Sequence, residues 1–423
     1  MRRTVSTSQR DTSPPEGACL PARIRYDSRH ELKDLMDHDT AARTTLIRSA
    51  SDAGSRVFET ILTRSPISRI DIARETGLSQ AAVTKAVAPL VAAGLVNTPP
   101  ASHRDGTPGR PVSPVSIVLE SMVMIGVKVN VDEVIAVATD LATTILASER
   151  RALRAEDPHT VLDAIVDVVA ALEVKLGSSV SAVAGIGVSV SGDVDTATGI
   201  VRESNIMGWA DVPLGDLLAR RLPWPVTLEN DVHALTIGEH WFGVGLGTAS
   251  FAMVTIGRGI GSGLHLNGQV VSGAFGVAGE IGHLPLADSA LVCPCGRRGC
   301  VEAAASTPAI EAAVSAALGR PVTITEAVEL AHAGEPGADA AFREAARLIG
   351  TAIAALVNLT GPEVVIIGGE GVSNFDLFEK TLRDAFEAHA FGAAVRCRIV
   401  TRPHTFEDWA RGAAAAAIQS LVR

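Results

Sequence analysis

"GEIGHLPLADSALVCPCGRRGCVE", Gly279 to Glu302, places His283, Cys293, Cys295 and Cys300 in the spacing H-x9-C-x-C-x4-C. Three of the five cysteines in a chain of 423 residues fall in this one stretch. Zn2+ prefers four nitrogen and sulfur ligands in a tetrahedron, and three thiolates with one imidazole form a common closed set. Gly296 and Gly299 let the backbone fold the third thiolate back around an ion. Ordinary buried thiols or a redox pair would leave the spaced histidine without a purpose. The stretch therefore predicts a structural zinc site. Two carboxylates, Glu280 and Glu302, flank the cluster.

The rest of the chain is poor in aromatic residues (4%) and rich in aliphatic ones, with 47% of residues hydrophobic. That implies large aliphatic cores and two or three domains. No apolar run is long enough for a membrane span, and the polar start MRRTVSTSQRDTSPPEG does not read as a signal peptide. A cytoplasmic protein without membrane contact is expected, in which clustered thiols hold metal more often than they form disulfides. Residues 1–115 carry 16 Lys and Arg against 12 Asp and Glu, a net of +4, which leaves −14 for the remainder of a chain whose total is −10. Any contact with nucleic acid is thus expected at the head.

Residues 1–47 are rich in Ser, Thr, Arg, Pro and Asp and read as a disordered tail. Helical periodicity begins with SRVFETILTR, where Val57, Ile61 and Leu62 share a face. In the stretch from Ser68 to Val96, Gly77 allows a sharp turn and Ser79 caps a second helix whose inward positions are Val83, Val87 and Leu90. Two helices about a short glycine turn, with a third ahead, make a helix-turn-helix. A strand, a Pro/Gly-rich loop and a second strand follow as a wing, which gives a winged helix over 48–115. Gln80, Ala81, Thr84 and Lys85 are left on the face that a recognition helix turns to the major groove, and Arg110 lies in the wing. The competing reading is a winged helix that binds protein. Pro89 predicts that this helix kinks after Ala88 or ends early.

Beyond residue 116 strands alternate with helices, the pattern of α/β layers. LENDVHAL ends a strand with Asn230 and Asp231, and a carboxylate at a strand end in a cleft can accept a hydroxyl proton. TIGRGIGSG supplies Gly257, Gly259, Gly261 and Gly263, a weak phosphate-loop signal. VVIIGGEG reads either as a nucleotide-lining turn or as a tight strand-to-helix turn.

Taken together these residues resemble the ROK family of repressors, open reading frames and sugar kinases, over about Ser49 to the C-terminus. GEIGH followed by CPCGRRGCVE carries the resemblance, and LENDVHAL and GIGVSVSGDVD stand in the expected order. The resemblance implies a two-lobed actin-like ATPase (ribonuclease H-like) sugar-kinase fold. The lobes would be residues 116–230 with a returning helix over 405–423, and residues 231–404 with the zinc site. It places sugar contacts on Gly192, Asn230, Asp231, Glu280, His283 and Glu302, and a kinase base on Asp231. His283 would hold zinc with one ring nitrogen and face the sugar with the other.

The chain departs from that pattern at GVKVNVDEV. Sugar kinases of the family have an Asp-x-Gly-Gly-Thr turn there. Lys128 stands at the Asp position, Asn130 and Val131 at the glycines and Asp132 at the threonine. Side chains crowd the phosphate turn, and Asp132 would repel phosphate. The glycines from Gly257 to Gly263 are then a degenerate phosphate site. The expectation is a sugar-responsive transcriptional regulator, a repressor of carbohydrate genes, rather than an enzyme. It would bind a palindromic double-stranded operator as a homodimer or homotetramer. The alternative is an ATP-dependent sugar kinase carrying a DNA-binding head.

Overall fold

A computed structural model describes residues 38–99 and 114–422. Strands Val123–Val129, Glu133–Thr139 and Ile145–Ala152 form an antiparallel meander. Val183–Val190 and then Val226–Asn230 extend it in parallel on the other edge. Parallel neighbours need a long crossover, and the helix Pro158–Leu176 lies in the one that leads to Val183–Val190. The central strands are buried on both faces, which is why they read as nearly unbroken apolar runs.

The second sheet has the order Gln269–Val270, Ile260–Leu266, Phe251–Ile256, Val364–Gly368, Arg398–Thr401. Helices Pro336–Thr360 and Asp376–His389 pack on it through Ile349, Ile353, Leu382 and Phe386. Helix Asp231–Phe242 packs against it through Val232 and Leu235.

The C-terminal helix Phe406–Val422 lies directly on the first sheet. A Cβ on Gly126 would stand 1.9 Å from the Ala410 carbonyl, and one on Gly187 1.8 Å from that of Ala413. The glycines in these strands are thus the condition for that contact. The same helix crosses Asp231–Phe242 tightly, since a Cβ on Gly412 would lie 2.8 Å from the Ala234 carbonyl.

The head comprises helices His38–Arg48, Asp52–Arg64, Arg69–Thr76 and Gln80–Ala92 with a small sheet of Ile67–Ser68, Pro114–Ile117 and Val96–Asn97. Gly77 closes the third helix at φ 71°, and the Ser79 hydroxyl accepts from the Ala82 N–H at 3.2 Å. Val83, Val87 and Leu90 point inward as expected. The paired strands on either side of 98–113 are the stem of the predicted wing; Arg110 lies outside the described residues. The head has no separate core. Val57, Ile61, Val83 and Val87 share one apolar cluster with Trp241, Ile418, Leu421 and Val422 of the body.

Three expectations change. Within the stretch read as a disordered tail, residues 38–47 are helical. Ile47 is buried in the head, and the Arg43 guanidinium donates to the carbonyls of Ala93 and Ser121 at 2.9 and 2.8 Å. These partners are remote in sequence, so local composition could not reveal them. Of the two outcomes expected at Pro89, a kink or an early end, the early end does not occur: the recognition helix continues through Pro89 to Ala92. Pro89 and Lys85, whose carbonyl loses its i+4 donor, are both exposed, so water can satisfy that carbonyl while Val87 and Leu90 stay buried. Strand Pro114–Ile117 pairs with head strands and so carries the head past residue 115. Among the described residues no helix is long and apolar enough to cross a membrane.

Near the end of helix Asp231–Phe242, buried Glu239 accepts from Arg402 Nε at 2.6 Å, from the Val244 N–H at 2.8 Å and faces His404 Nε2 at 3.1 Å. Burial pushes this carboxyl upward, but His404 and Arg402 outweigh it and leave it below its ordinary value. A depressed folded pKa contributes stability above the unfolded value of about 4.5, and that contribution disappears as pH falls through the folded value. Glu239→Gln is expected to cost about 1–3 kcal/mol near neutrality. Chemical denaturation from pH 7 to pH 3 should show the wild-type advantage shrinking toward the acid end. A constant difference across that range would refute the assignment.

Candidate functional site

The two lobes face each other across a cleft whose lining includes Lys128, Gly192, Asn230, Asp231, Glu280 and Glu302. Strand Val226–Asn230 delivers Asn230 and Asp231 to its floor, where helix Asp231–Phe242 starts. Asn230 is that helix's N-cap: its Oδ1 accepts from the N–H groups of Val232 and His233 at 2.9 and 3.0 Å. Its Nδ2 donates to the Gly192 carbonyl at 2.8 Å. The expected donor and acceptor has therefore spent its acceptor on the backbone, and one N–H is left for a ligand.

Asp231 is held at both oxygens. Oδ1 accepts from the Val232 N–H at 2.9 Å, and Oδ2 from the Lys128 ammonium at 2.5 Å. Lys128 and Asp231 are 5% and 7% exposed, and the ammonium lies 5.1 Å from the centre of the Trp409 ring. Removing either partner of a buried ion pair leaves an uncompensated charge, so the two side chains hold each other in place. The departure at GVKVNVDEV acts here through Lys128. Asp132, expected to repel phosphate, is exposed and does not line the cleft.

On the opposite wall His283, Cys293, Cys295 and Cys300 bring one ligand atom each within 4.8 Å of one another. Sγ of Cys293 lies 3.8 Å from His283 Nδ1, and Sγ of Cys295 lies 3.9 Å from that of Cys300. Thiolates at about 2.3 Å from a tetrahedral ion stand about 3.8 Å apart, so the donor set fits. His283 turns Nδ1 to the thiols and Nε2 to the Glu280 carboxylate 3.8 Å away. Burial raises Glu280 above the ordinary carboxylate range, against the pull of His283 and His233. Glu302 accepts from the Ile260 N–H at 3.0 Å and lies 3.8 Å from the Cys293 thiol. It therefore ties the cluster to the second sheet.

Behind the floor, His233 contacts Glu229 at 3.5 Å and the Ala278 carbonyl at 3.4 Å. Burial opposes its charged form most, yet Glu229, the Ala278 carbonyl and Glu280 together outweigh burial and raise its pKa. The glycine loop divides. Gly257, Gly259 and Gly261 line the cleft and Gly263 does not; a Cβ on Gly263 would meet the Thr236 hydroxyl at 2.0 Å and one on Gly261 would meet Val232 at 2.8 Å. Those last two glycines serve the approach of helix Asp231–Phe242 to the sheet. Glu370, Phe406 and Trp409 also line the cleft and were missed as site residues. Glu370 lies in VVIIGGEG, so a signal for it was present. At the head, Gln80, Ala81, Thr84 and Lys85 are all exposed on one helix.

Residues 124–420 match the sequence profile of the ROK family. The chain is 27% identical over 337 residues to a xylose repressor of Bacillus spizizenii, covering 79% of this chain and 86% of that protein. A crystal structure of a ROK family transcriptional regulator, homologous to the E. coli MLC protein, shares the fold with a TM-score of 0.74 at 24% identity, over 87% of this chain and 96% of that one. A ROK family glucokinase from Streptomyces griseus, crystallised with glucose and AMPPNP, aligns at 29% identity with a TM-score of 0.62, over 70% and 99%.

Proposed function

The chain belongs to the ROK family, and from that premise we propose that it is a sugar-responsive DNA-binding transcriptional regulator, a repressor of carbohydrate genes. One observation carries the reading: two helices join the cleft to the DNA-binding head. Asp231–Phe242 runs from Asp231 in the cleft to Trp241 in the head's core, and Phe406–Val422 runs from Trp409 in the cleft to Leu421 in that same core. A ligand that prefers one arrangement of the lobes would shift the head by that preference and no more.

In this reading Gly192, Asn230, Asp231, Glu280, His283 and Glu302 bind a sugar or sugar derivative. Zn2+ held by His283, Cys293, Cys295 and Cys300 supplies no chemistry of its own but fixes the tautomer of His283. The winged-helix head reads DNA through Gln80, Ala81, Thr84, Lys85 and Arg110. In this reading the chain acts in the cytoplasm as a homodimer or homotetramer, whose paired heads would meet the half-sites of a palindromic operator.

The decisive experiment is operator binding titrated with a panel of sugars and sugar phosphates. A shift in operator Kd with at least one of them is expected, and no shift with any would remove the effector role. Gln80→Ala is expected to weaken specific operator binding by about 1–3 kcal/mol and to leave sugar binding unchanged. Equal loss on unrelated DNA would remove Gln80 from base reading. The kinase alternative needs Asp231 as a free base, which its bond to Lys128 disfavours. Phosphorylation of any sugar at ordinary kinase rates, abolished by Asp231→Asn, would restore it.

A further inference from the structure

The turn Gly257–Gly259 presents a backbone N–H, that of Arg258, toward the half of the cleft that holds Glu370. Turns of this kind bind anions because nothing but backbone stands between the donors and the ligand. Here the donor is already taken: Glu370 Oε1 accepts from the Arg258 N–H at 2.7 Å. The carboxylate lies flush on the turn, since a Cβ on Gly257 would fall 2.2–2.4 Å from its atoms. The backbone is built to deliver it. Strand Val364–Gly368 ends at Gly369, whose φ of 92° starts the short turn that opens with Glu370. A Cβ on Gly369 would strike the Ile256 carbonyl at 2.5 Å, so the segment approaches the neighbouring strand as closely as backbone can.

We propose that Glu370 is a specificity-determining residue: its carboxylate occupies the anion position of the Gly257–Gly259 turn and keeps phosphate-bearing ligands out of that half of the cleft. The fixed negative charge repels a polyphosphate, and its hydrogen bond uses the donor that a phosphate oxygen would need. Exclusion is then an active property of one side chain and does not follow only from the loss of the first phosphate turn at Asn130 and Val131. The inference rests on reading the cleft as a sugar site, but its test does not use sugar.

The experiment measures binding of inorganic tripolyphosphate to the full chain, by equilibrium dialysis and by thermal shift. Wild type is expected to show no saturable binding up to millimolar concentration. Glu370→Ala frees the N–H and removes the charge, and is expected to gain at least tenfold in affinity with a concentration-dependent rise in Tm. Glu370 is exposed, so the substitution leaves the core alone. Glu370→Gly provides a second variant with the same expectation. Saturable tripolyphosphate binding by wild type, or no gain in either folded variant, overturns the proposal. A chain that shows the gain yet ignores every sugar in the operator assay keeps this inference and loses the regulatory one.

Discussion

Cys300→Ser should empty the metal site and abolish the response of operator binding to sugar. Cys300 is 1% exposed and supplies the last thiolate of the set, so its loss leaves three ligands around a position designed for four. The segment from His283 to Cys300 contains almost no regular structure to hold it otherwise. It relies on single contacts such as Val301 N–H to the Leu284 carbonyl and one isolated bridge between Val292 and Arg298. Glu302 begins two residues later, and its bond to the Ile260 N–H anchors the loop to the sheet. Losing the ion therefore disorders His283, Glu280 and Glu302 together. Bound zinc, measured by elemental analysis, should fall from about one per chain to near zero. Sugar affinity, measured by calorimetry, should fall by a factor of about 100 or more, above the 10–100-fold typical of losing a residue that merely orients a ligand. Operator binding without sugar should survive, because no metal ligand belongs to the head's core. Full zinc content in the variant, or undiminished sugar affinity, would show that the cluster does not support the cleft.

Trp241→Ala is the second large effect. Trp241 is fully buried where the cleft helix meets the head, beside Phe242. Deleting a buried indole costs about 3–5 kcal/mol, through lost transfer energy and the cavity left behind. The loss falls at the joint between sensor and reader, so the ratio of operator Kd values with and without sugar should move toward one. Trp241→Phe keeps an aromatic surface there and should retain most of the ratio. Among the described residues the indole N–H has no partner, so Phe also removes a buried donor that is unsatisfied. Denaturant titration gives the stability change, and parallel sugar titrations give the two ratios. Full sugar control of operator affinity in a folded Trp241→Ala protein would place the coupling elsewhere.

The His/Cys cluster, a set that could hold a metal, was legible because its members are close in sequence and their spacing is itself the signal. The helix-turn-helix was legible for the same reason: Gly77, Ser79 and the triplet Val83, Val87, Leu90 act within a few residues of one another. What the sequence hid depends on distance along the chain. Lys128 meets Asp231 across 103 positions, and Arg258 meets Glu370 across 112. The identity of Lys128 revealed a lost phosphate turn, but not that its ammonium would pair with the very carboxylate proposed as a base. Asn230 was legible as a site residue and not as a helix cap, because both roles favour the same side chain at a strand end. Gly261 and Gly263 were legible as glycines of a phosphate-type loop and not as the approach of a helix, because closeness to a helix and closeness to an anion both require a missing side chain.

The last helix of the chain supplies part of the first domain's interior. Ile418, Leu421 and Val422 stand in the same cluster as Val57 and Val83. Synthesis proceeds from the head, and N-terminal units ordinarily fold while the remainder is still being made. Here the head's apolar cluster is complete only when helix Phe406–Val422 is in place. An interrupted translation product would lack both the seal on its recognition unit and the partner of its cleft helix.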